Sequence, residues 1–287
     1  MNRKKITALA LTAAISAAVL AGCGSSAASS AVPAADSAAD SATTDTAASA
    51  DLLSQIRERG TITVAMEGTW APWTYHDEND NLVGYDVEVA TLIAEKLGVE
   101  PEFIEGEWDG LLAGLDAGRY DIMVNGVDIT PERAEKYDFS TPYAYNRTAV
   151  ITKGDNDTIN SLEDLKDKKT ANTISSTYAQ LAEQYGADVT GVDDLNQTFE
   201  LLNSGRIDAT LNAEVTFYDY TKEHPDANVK IAVLTQDANE VAIPLRKGDE
   251  TATLREAINT AIDELRASGQ LKDLSEKYFG TDISSND

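Results

Sequence analysis

A positively charged residue stands at the start of a predicted helix, a place suited to binding an anion. Thr130 is a favourable N-cap and Pro131 suits the first helical position, so a helix is predicted to begin here with Arg133 in its first turn. The positive end of the helix dipole disfavours a cation at that place. The position becomes favourable when an anion binds there, held by backbone N–H groups and a bidentate guanidinium. We therefore predict a carboxylate-binding corner; the alternative is that Arg133 pairs with Asp128 or Glu132 at the surface.

An aromatic segment, residues 67–75, supplies further candidate binding residues. It follows a predicted strand at 61–66 and reads EGTWAPWTY, so it is loop-like and includes Glu67 and Trp70. Loops just past the carboxyl ends of strands are where open α/β sheets bind ligands. We expect this segment to border a ligand site.

The sequence offers no pattern for a metal or a cofactor. Cys23 is the single cysteine, which excludes an intramolecular disulfide and a metal site built on several thiolates. The two histidines, His76 and His224, are far apart and lack zinc-site spacing. We predict neither a metal ion nor a cofactor.

Charge and length exclude several classes of partner. The chain has 287 residues, a formal net charge of −26 and a pI near 4.3. Such an acidic protein is unsuited to binding nucleic acid or an anionic membrane surface. The length predicts about two domains, each able to bury a core.

The first fifty residues are predicted to be a secretion signal and a tether. Residues 1–22 carry three basic residues and then an apolar run, which is typical of a signal peptide. The run ends in LAGC, which resembles a bacterial lipobox, and this resemblance implies cleavage before Cys23 and lipidation of its thiol. The alternatives are an ordinary signal peptide with a chance cysteine or an uncleaved anchor. Residues 23–50, rich in Ala, Ser, Thr and Asp, are predicted to be a disordered tether.

From residue 51 onward, predicted strands alternate with predicted helices, which favours an α/β fold with largely parallel sheets. Asp86 is predicted to cap the helix that follows it, and Ser161 with Asp164 has the spacing of a capping box.

An internal similarity suggests two lobes. Segments 118–126 and 205–213 share Gly, Arg, Asp and Asn at matching positions, which places Asn125 and Asn212 at equivalent strand ends. If the lobes face each other, both asparagines border the cleft. The alternative is that the two segments share only their turn chemistry.

Six motifs, in this order, carry a resemblance to the solute-binding proteins of polar amino acid ABC importers. They are GYDVEVA (84–90), EWDGL (107–111), GRYD (118–121), ITPER (129–133), DFSTPY (138–143) and SLEDLK (161–166). The resemblance covers about residues 52–282. It implies an α/β, two-lobed periplasmic-binding-protein fold of type II, with two mixed or mainly parallel sheets joined by two crossing strands. Lobe 1 would be 51–146 plus 242–287, and lobe 2 would be 148–240.

The resemblance also implies a function. The chain would be a monomer outside the cytoplasm, lipid-anchored through Cys23, either on the outer face of the cytoplasmic membrane or in a periplasm. It would capture a polar amino acid between the lobes and deliver it to an ABC permease in the membrane, without catalysis. The motifs around 124–127 and 210–212 look similar to the cystine-binding branch.

Site residues follow from the same resemblance. Arg133 would grip the ligand α-carboxylate, and the backbone at Asn125, Gly126 and Ser176 would supply the remaining carboxylate and ammonium contacts. Glu67, Trp70 and Trp108 would line the side-chain pocket. The whole predicted ligand-binding set is Glu67, Trp70, Trp108, Asn125, Gly126, Asp128, Arg133, Ser175, Ser176, Thr177, Asn212 and Glu214. For each tryptophan, the alternative is that it packs in the core.

Two positions depart from the family pattern. Asp128 stands where the family commonly has Thr, and Ala213 stands where it has an Asp that usually binds the α-ammonium group. Either Glu214 compensates, or Asp128 and Glu67 take the cation, unless the acid turns to solvent. Several carboxylates near one pocket favour a cationic ligand or one with extra amino groups, and cystine, with two ammonium groups, fits.

Two other functions remain open. Some relatives resemble cyclohexadienyl or arogenate dehydratases, for which Glu67 would be the candidate acid or base. The third possibility is an amino-acid sensor that does not transport.

Overall fold

Two main β-sheets, each covered by helices, organise the part of the chain that the structure describes, together with three smaller sheets of two or three strands. The structure is a computed structural model, and it describes residues 51–286. The predicted signal peptide, Cys23 and the tether therefore lie outside the described residues. Within 51–286, no helix is both long and apolar enough to cross a membrane.

Helices and strands alternate along the chain, as predicted. The helices are α1 Leu52–Arg59, α2 Tyr85–Leu97, α3 Trp108–Asp116, α4 Pro131–Lys136, α5 Thr177–Gln184, α6 Leu195–Asn203, α7 Glu214–Glu223, α8 Asp249–Ala267 and α9 Gln270–Phe279, with a 3-10 turn at Leu162–Leu165. The strands are β1 Thr61–Met66, β2 Thr69–Trp70, β3 Thr74–His76, β4 Leu82–Val83, β5 Glu100–Glu105, β6 Ile122–Met123, β7 Tyr137–Phe139, β8 Ala144–Asn146, β9 Thr148–Lys153, β10 Lys169–Asn172, β11 Asp188–Gly191, β12 Ala209–Ala213, β13 Val229–Leu234, β14 Asn239–Val241 and β15 Pro244–Arg246.

The first sheet has three parallel strands in the order β5-β1-β6. Its central strand is buried on both faces, since Val64 and Met66 pack in the cluster that contains α2 and α8, while Ala65 packs beside α3. Burial on both faces explains why this strand reads as an apolar run.

The second sheet is mixed, with the order β11-β10-β12-β9-β13. Strands β10, β11 and β12 run parallel, and β9 is antiparallel to both of its neighbours. Helices cover both faces here too, because Ile151 packs with α6 and α7 while Val150 packs with α5.

The chain passes between the sheets twice. Strand β8 leaves the first sheet and β14 returns towards it, and the two pair antiparallel through Tyr145 and Glu240. Helix α8 then packs against α1 and α2. This arrangement is the two-lobed α/β fold expected from the sequence. We call the part around the first sheet the first lobe and the part around the second sheet the second lobe.

The predicted helix starts are confirmed at two places and wrong at a third. Thr130 accepts the Arg133 N–H at 3.1 Å, and Ser161 with Asp164 forms the capping box. Asp86 does not cap α2, which begins at Tyr85 after Gly84 at φ +135°. A Cβ on Gly84 would collide with a main-chain carbonyl, so tertiary contact fixes this helix start.

Candidate functional site

A cavity lies between the lobes and takes its walls from both. The surrounding side chains leave about 540 Å³ of empty space, part of which is open to solvent. The first lobe contributes Glu67, Trp70, Trp108, Gly126, Asp128 and Arg133. From the predicted set, the second lobe contributes Ser176, Thr177 and Asn212. Asn125, Ser175 and Glu214 are the predicted residues that do not line the cavity.

Arg133 is buried at the cavity wall, with 7% of its surface exposed. Its guanidinium donates to the main-chain oxygens of Asp128 at 3.0 Å and Ser175 at 3.3 Å, and it lies 5.4 Å from the centre of the Trp108 ring. No carboxylate within residues 51–286 lies close enough to form a salt bridge with it, so the surface ion pair of the alternative is not formed. A buried guanidinium held by neutral carbonyls at a helix start is a strong site for an anion.

Asp128 turns its carboxylate towards the second lobe. Its Oδ2 accepts hydrogen bonds from Thr177 Oγ1 at 2.6 Å and Asn239 Nδ2 at 3.3 Å. Burial raises the pKa of Asp128 to about 6, against the opposing effects of the Thr177 hydrogen bond and the Arg133 charge. Asp128 thus lines the cavity while joining the two lobes.

Asn125 does not line the cavity, but it holds Glu67, which does. The Glu67 N–H donates to Asn125 Oδ1 and Asn125 Nδ2 donates to Glu67 Oε2, both at 2.7 Å. Burial raises the pKa of Glu67 to about 7; the Asn125 hydrogen bond opposes this, and the charges of Asp194 and Asp109 add to it. Both polar ends of the Asn125 side-chain amide are thus engaged with Glu67, and the expected contact of the Asn125 backbone with a ligand stays a prediction.

Gly126 lines the cavity, but its N–H donates to Asp86 Oδ2 at 2.7 Å. The expected backbone donor to a ligand carboxylate is thus already engaged. The glycine is needed for another reason: its φ is +54°, and a Cβ there would lie 2.5 Å from the Trp70 ring.

Both predicted pocket tryptophans face the cavity and also pack in the core. Trp70 stacks on Trp73 with ring centres 5.2 Å apart, and its Nε1 donates to Asn212 Oδ1 across the cleft at 3.2 Å. Trp108 packs in the core cluster of α3, and its Nε1 is buried without a hydrogen-bond partner among the described residues. Each of the two tryptophans therefore both lines the cavity and packs in the core.

Two predicted residues of the second lobe point elsewhere. Ser175 donates its N–H and its hydroxyl to Asp109 Oδ1, at 3.1 and 2.6 Å. Glu214 forms an ion pair with Arg147 at 2.9 Å. Glu214 therefore does not replace the acid missing at Ala213, whose own side chain is fully buried in the core.

Sequence reasoning missed six lining residues of the second lobe. They are Asn172, Thr173, Tyr178, Asp194, Leu195 and Thr198. Asp194 is the N-cap of α6 and accepts the Gln197 N–H at 2.9 Å. The rule that singled out 67–75, a loop just past a strand end, would have found Asp194 after β11 and Asn172 at the end of β10.

The charges around the cavity are one cation, Arg133, and three carboxyl groups, those of Glu67, Asp128 and Asp194. Such a wall suits a small molecule with an anionic group for Arg133 and at least one cationic group for the carboxyls. Among the described residues, no cluster of His, Cys, Asp and Glu is placed to hold a metal ion.

Several known proteins are similar to this chain in sequence, in structure or in both. L-cystine-binding protein TcyA of Bacillus subtilis is 40% identical over 241 residues, covering 84% of this chain and 89% of that protein. The structure of an ancestral arginine-binding protein bound to arginine is 39% identical with a TM-score of 0.73, covering 77% of this chain and 99% of that one. The L-cystine solute receptor of Neisseria gonorrhoeae, in its unliganded open conformation, is 41% identical with a TM-score of 0.57, covering 83% and 100%.

These three proteins are similar in sequence to this chain to about the same degree, yet the arginine-bound structure superposes better than the open one. The family model of bacterial extracellular solute-binding proteins, family 3, matches residues 62–281. Since that match spans most of the chain, the protein belongs to the family 3 bacterial extracellular solute-binding proteins.

Proposed function

We propose that this protein captures an amino acid between its two lobes outside the cytoplasm and delivers it to an ABC permease. The observation that carries the proposal is the buried Arg133 guanidinium, which lines an interlobe cavity and, among the described residues, donates hydrogen bonds to main-chain carbonyls and to no carboxylate. The α-carboxylate of an amino acid is the anion that such a site accommodates. The relatives named as amino-acid-binding proteins support the same reading.

The favoured ligand is cystine, followed by a cationic amino acid such as arginine. Glu67 and Asp194 line the cavity, and their carboxyl groups are the ones proposed to meet the ammonium groups of the ligand. Glu214 lies outside the cavity and pairs with Arg147. Cystine carries two ammonium groups, which matches a wall with several carboxyls. Relatives named for cystine and for arginine support both ligands.

The lobe limits and the anchor belong to the same proposal. Lobe 1 comprises 51–146 plus 242–287 and lobe 2 comprises 148–240, supported by the β8–β14 pairing and by the packing of α8 on α1 and α2. A lipid on Cys23 would hold the protein at the membrane as a monomer, with residues 24–50 as the tether.

A dehydratase activity is the second candidate, favoured only by the raised pKa of Glu67 in the cavity. Incubation with prephenate or arogenate and analysis for aromatic product tests it. A protein that binds amino acids without forming product supports the transport function.

The proposed function is tested by melting the protein with each common amino acid, with L-cystine and with L-ornithine. A ligand at ~100 times its dissociation constant should raise the free energy of unfolding by about 2.7 kcal/mol. We expect the largest rise in melting temperature with L-cystine or L-arginine. No rise with any of these compounds would contradict the proposal.

A further inference from the structure

Two aspartates of the first lobe hold the start of one helix in the second lobe. Asp109, in the first turn of α3, accepts the N–H and the hydroxyl of Ser175 on one oxygen, at 3.1 and 2.6 Å. Asp128 accepts the hydroxyl of Thr177 at 2.6 Å. Since α3 packs on the first sheet and α5 on the second, these three hydrogen bonds join the lobes.

These contacts extend from the cavity wall to the rim of the cleft. Asp109 and Ser175 are exposed and do not line the cavity, whereas Asp128 and Thr177 do. Between the two aspartates, Arg133 donates to the main-chain oxygen of Ser175. The segment 175–177 is therefore held from the first lobe at three points.

Electrostatics strengthens these contacts. The segment immediately precedes and opens α5, where the helix dipole and the first N–H groups present positive charge. Carboxylates brought from the opposite lobe are attracted to that end, and hydrogen bonds to a charged acceptor are the stronger ones. The second lobe obtains these carboxylates only when the cleft is closed.

We propose that Asp109 with Ser175, and Asp128 with Thr177, form an interlobe latch that stabilises the closed cleft independently of ligand contacts. This inference rests on the proposed function of the cavity. The latch raises the closed fraction of the unliganded protein and slows the release of bound ligand, because opening must break its hydrogen bonds. Asp109 is a positioning residue, since it does not line the cavity.

The test uses Asp109→Ala, with Asp109→Asn and Glu107→Ala as comparisons. Asparagine keeps an acceptor oxygen for Ser175, and Glu107 is a neighbouring exposed acid with no hydrogen bond across the cleft among the described residues. The first readout is amide hydrogen exchange of segment 173–178 in the unliganded full chain. We expect exchange to be roughly threefold to tenfold faster in Asp109→Ala, faster by a smaller factor in Asp109→Asn, which keeps the acceptor and loses the charge, and within about twofold of wild type in Glu107→Ala.

The second readout is the release rate of L-cystine or L-arginine, followed by tryptophan fluorescence because Trp70 and Trp108 line the cavity. We expect release to be roughly threefold to tenfold faster in Asp109→Ala. The latch makes no prediction about the association rate. The result that would overturn the latch is exchange of 173–178 in unliganded Asp109→Ala that equals exchange in Glu107→Ala. If neither amino acid binds wild type, the proposed ligands are wrong, and the exchange experiment still decides the latch.

Discussion

At the scale of single residues, buried carboxyl groups set how the protein responds to pH. Asp86 looked like a helix cap, yet it is fully buried and accepts from Gly126 N at 2.7 Å and Tyr143 Oη at 2.8 Å. Burial raises its pKa from 3.8 to about 7, with both hydrogen bonds opposing the shift. The sequence could not reveal this, because the partners Gly126 and Tyr143 are distant along the chain.

We predict that stability falls as the pH rises towards neutrality. Between about pH 4 and pH 7 the folded state binds more protons at Asp86 than the unfolded state does, so the free energy of unfolding decreases with rising pH in that window. Asp86→Asn removes this titration. Denaturant unfolding at pH 4.5, 6 and 7.5 should therefore show a decrease that is smaller in the variant than in wild type by a few kcal/mol.

The control for this prediction is Glu58→Gln, since the Glu58 side chain is exposed and forms no ion pair with any of the described residues. Its pH dependence should match wild type. The pH assignment is incorrect if wild type and Asp86→Asn lose stability in parallel. Glu67 and Asp128 act in the same direction, so part of the slope should remain in the variant.

At the scale of elements, local sequence rules located the site where the structure obeys them. The cap at Thr130, the proline after it and the position of Arg133 were all read from adjacent residues, and the structure keeps them together. The two matching asparagines show the limit of such rules. Strand β6 ends at Met123, so Asn125 lies beyond it and beneath the cavity, whereas Asn212 lies within β12 and reaches the cavity.

The Thr130 cap should matter for binding as well as for stability. Thr130→Ala removes the acceptor of the Arg133 N–H, which should lower the free energy of unfolding by about 1 kcal/mol. Because the same turn positions the guanidinium, ligand affinity should also fall. Denaturant unfolding and calorimetric titration with L-cystine measure the two effects.

Ser161→Ala is the matched control, since Ser161 caps a 3-10 turn that does not line the cavity. It should cost similar stability and leave ligand affinity unchanged. Equal losses of affinity in both variants would mean that the effect is a general loss of stability rather than a displaced Arg133.

At the scale of the whole molecule, two lobes meet over a cavity that neither could form alone. The alternation of strands and helices predicted the α/β class, but the return of α8 to the first lobe came only from the family resemblance. The partners of Glu214 and Ser175 lie 67 and 66 residues away along the chain. The sequence therefore could not show that these two side chains are engaged outside the cavity.

The central claim is that the Arg133 guanidinium binds the carboxylate of an amino acid in the closed cleft. Calorimetric titration of L-cystine and L-arginine into wild type, Arg133→Ala and Arg119→Ala tests it directly, Arg119 being an exposed arginine away from the cavity. Removing one partner of a buried charge pair costs about 2–5 kcal/mol, so Arg133→Ala should weaken binding by roughly thirtyfold or more, while Arg119→Ala binds as wild type does. Binding by Arg133→Ala within about threefold of wild type would contradict the claim.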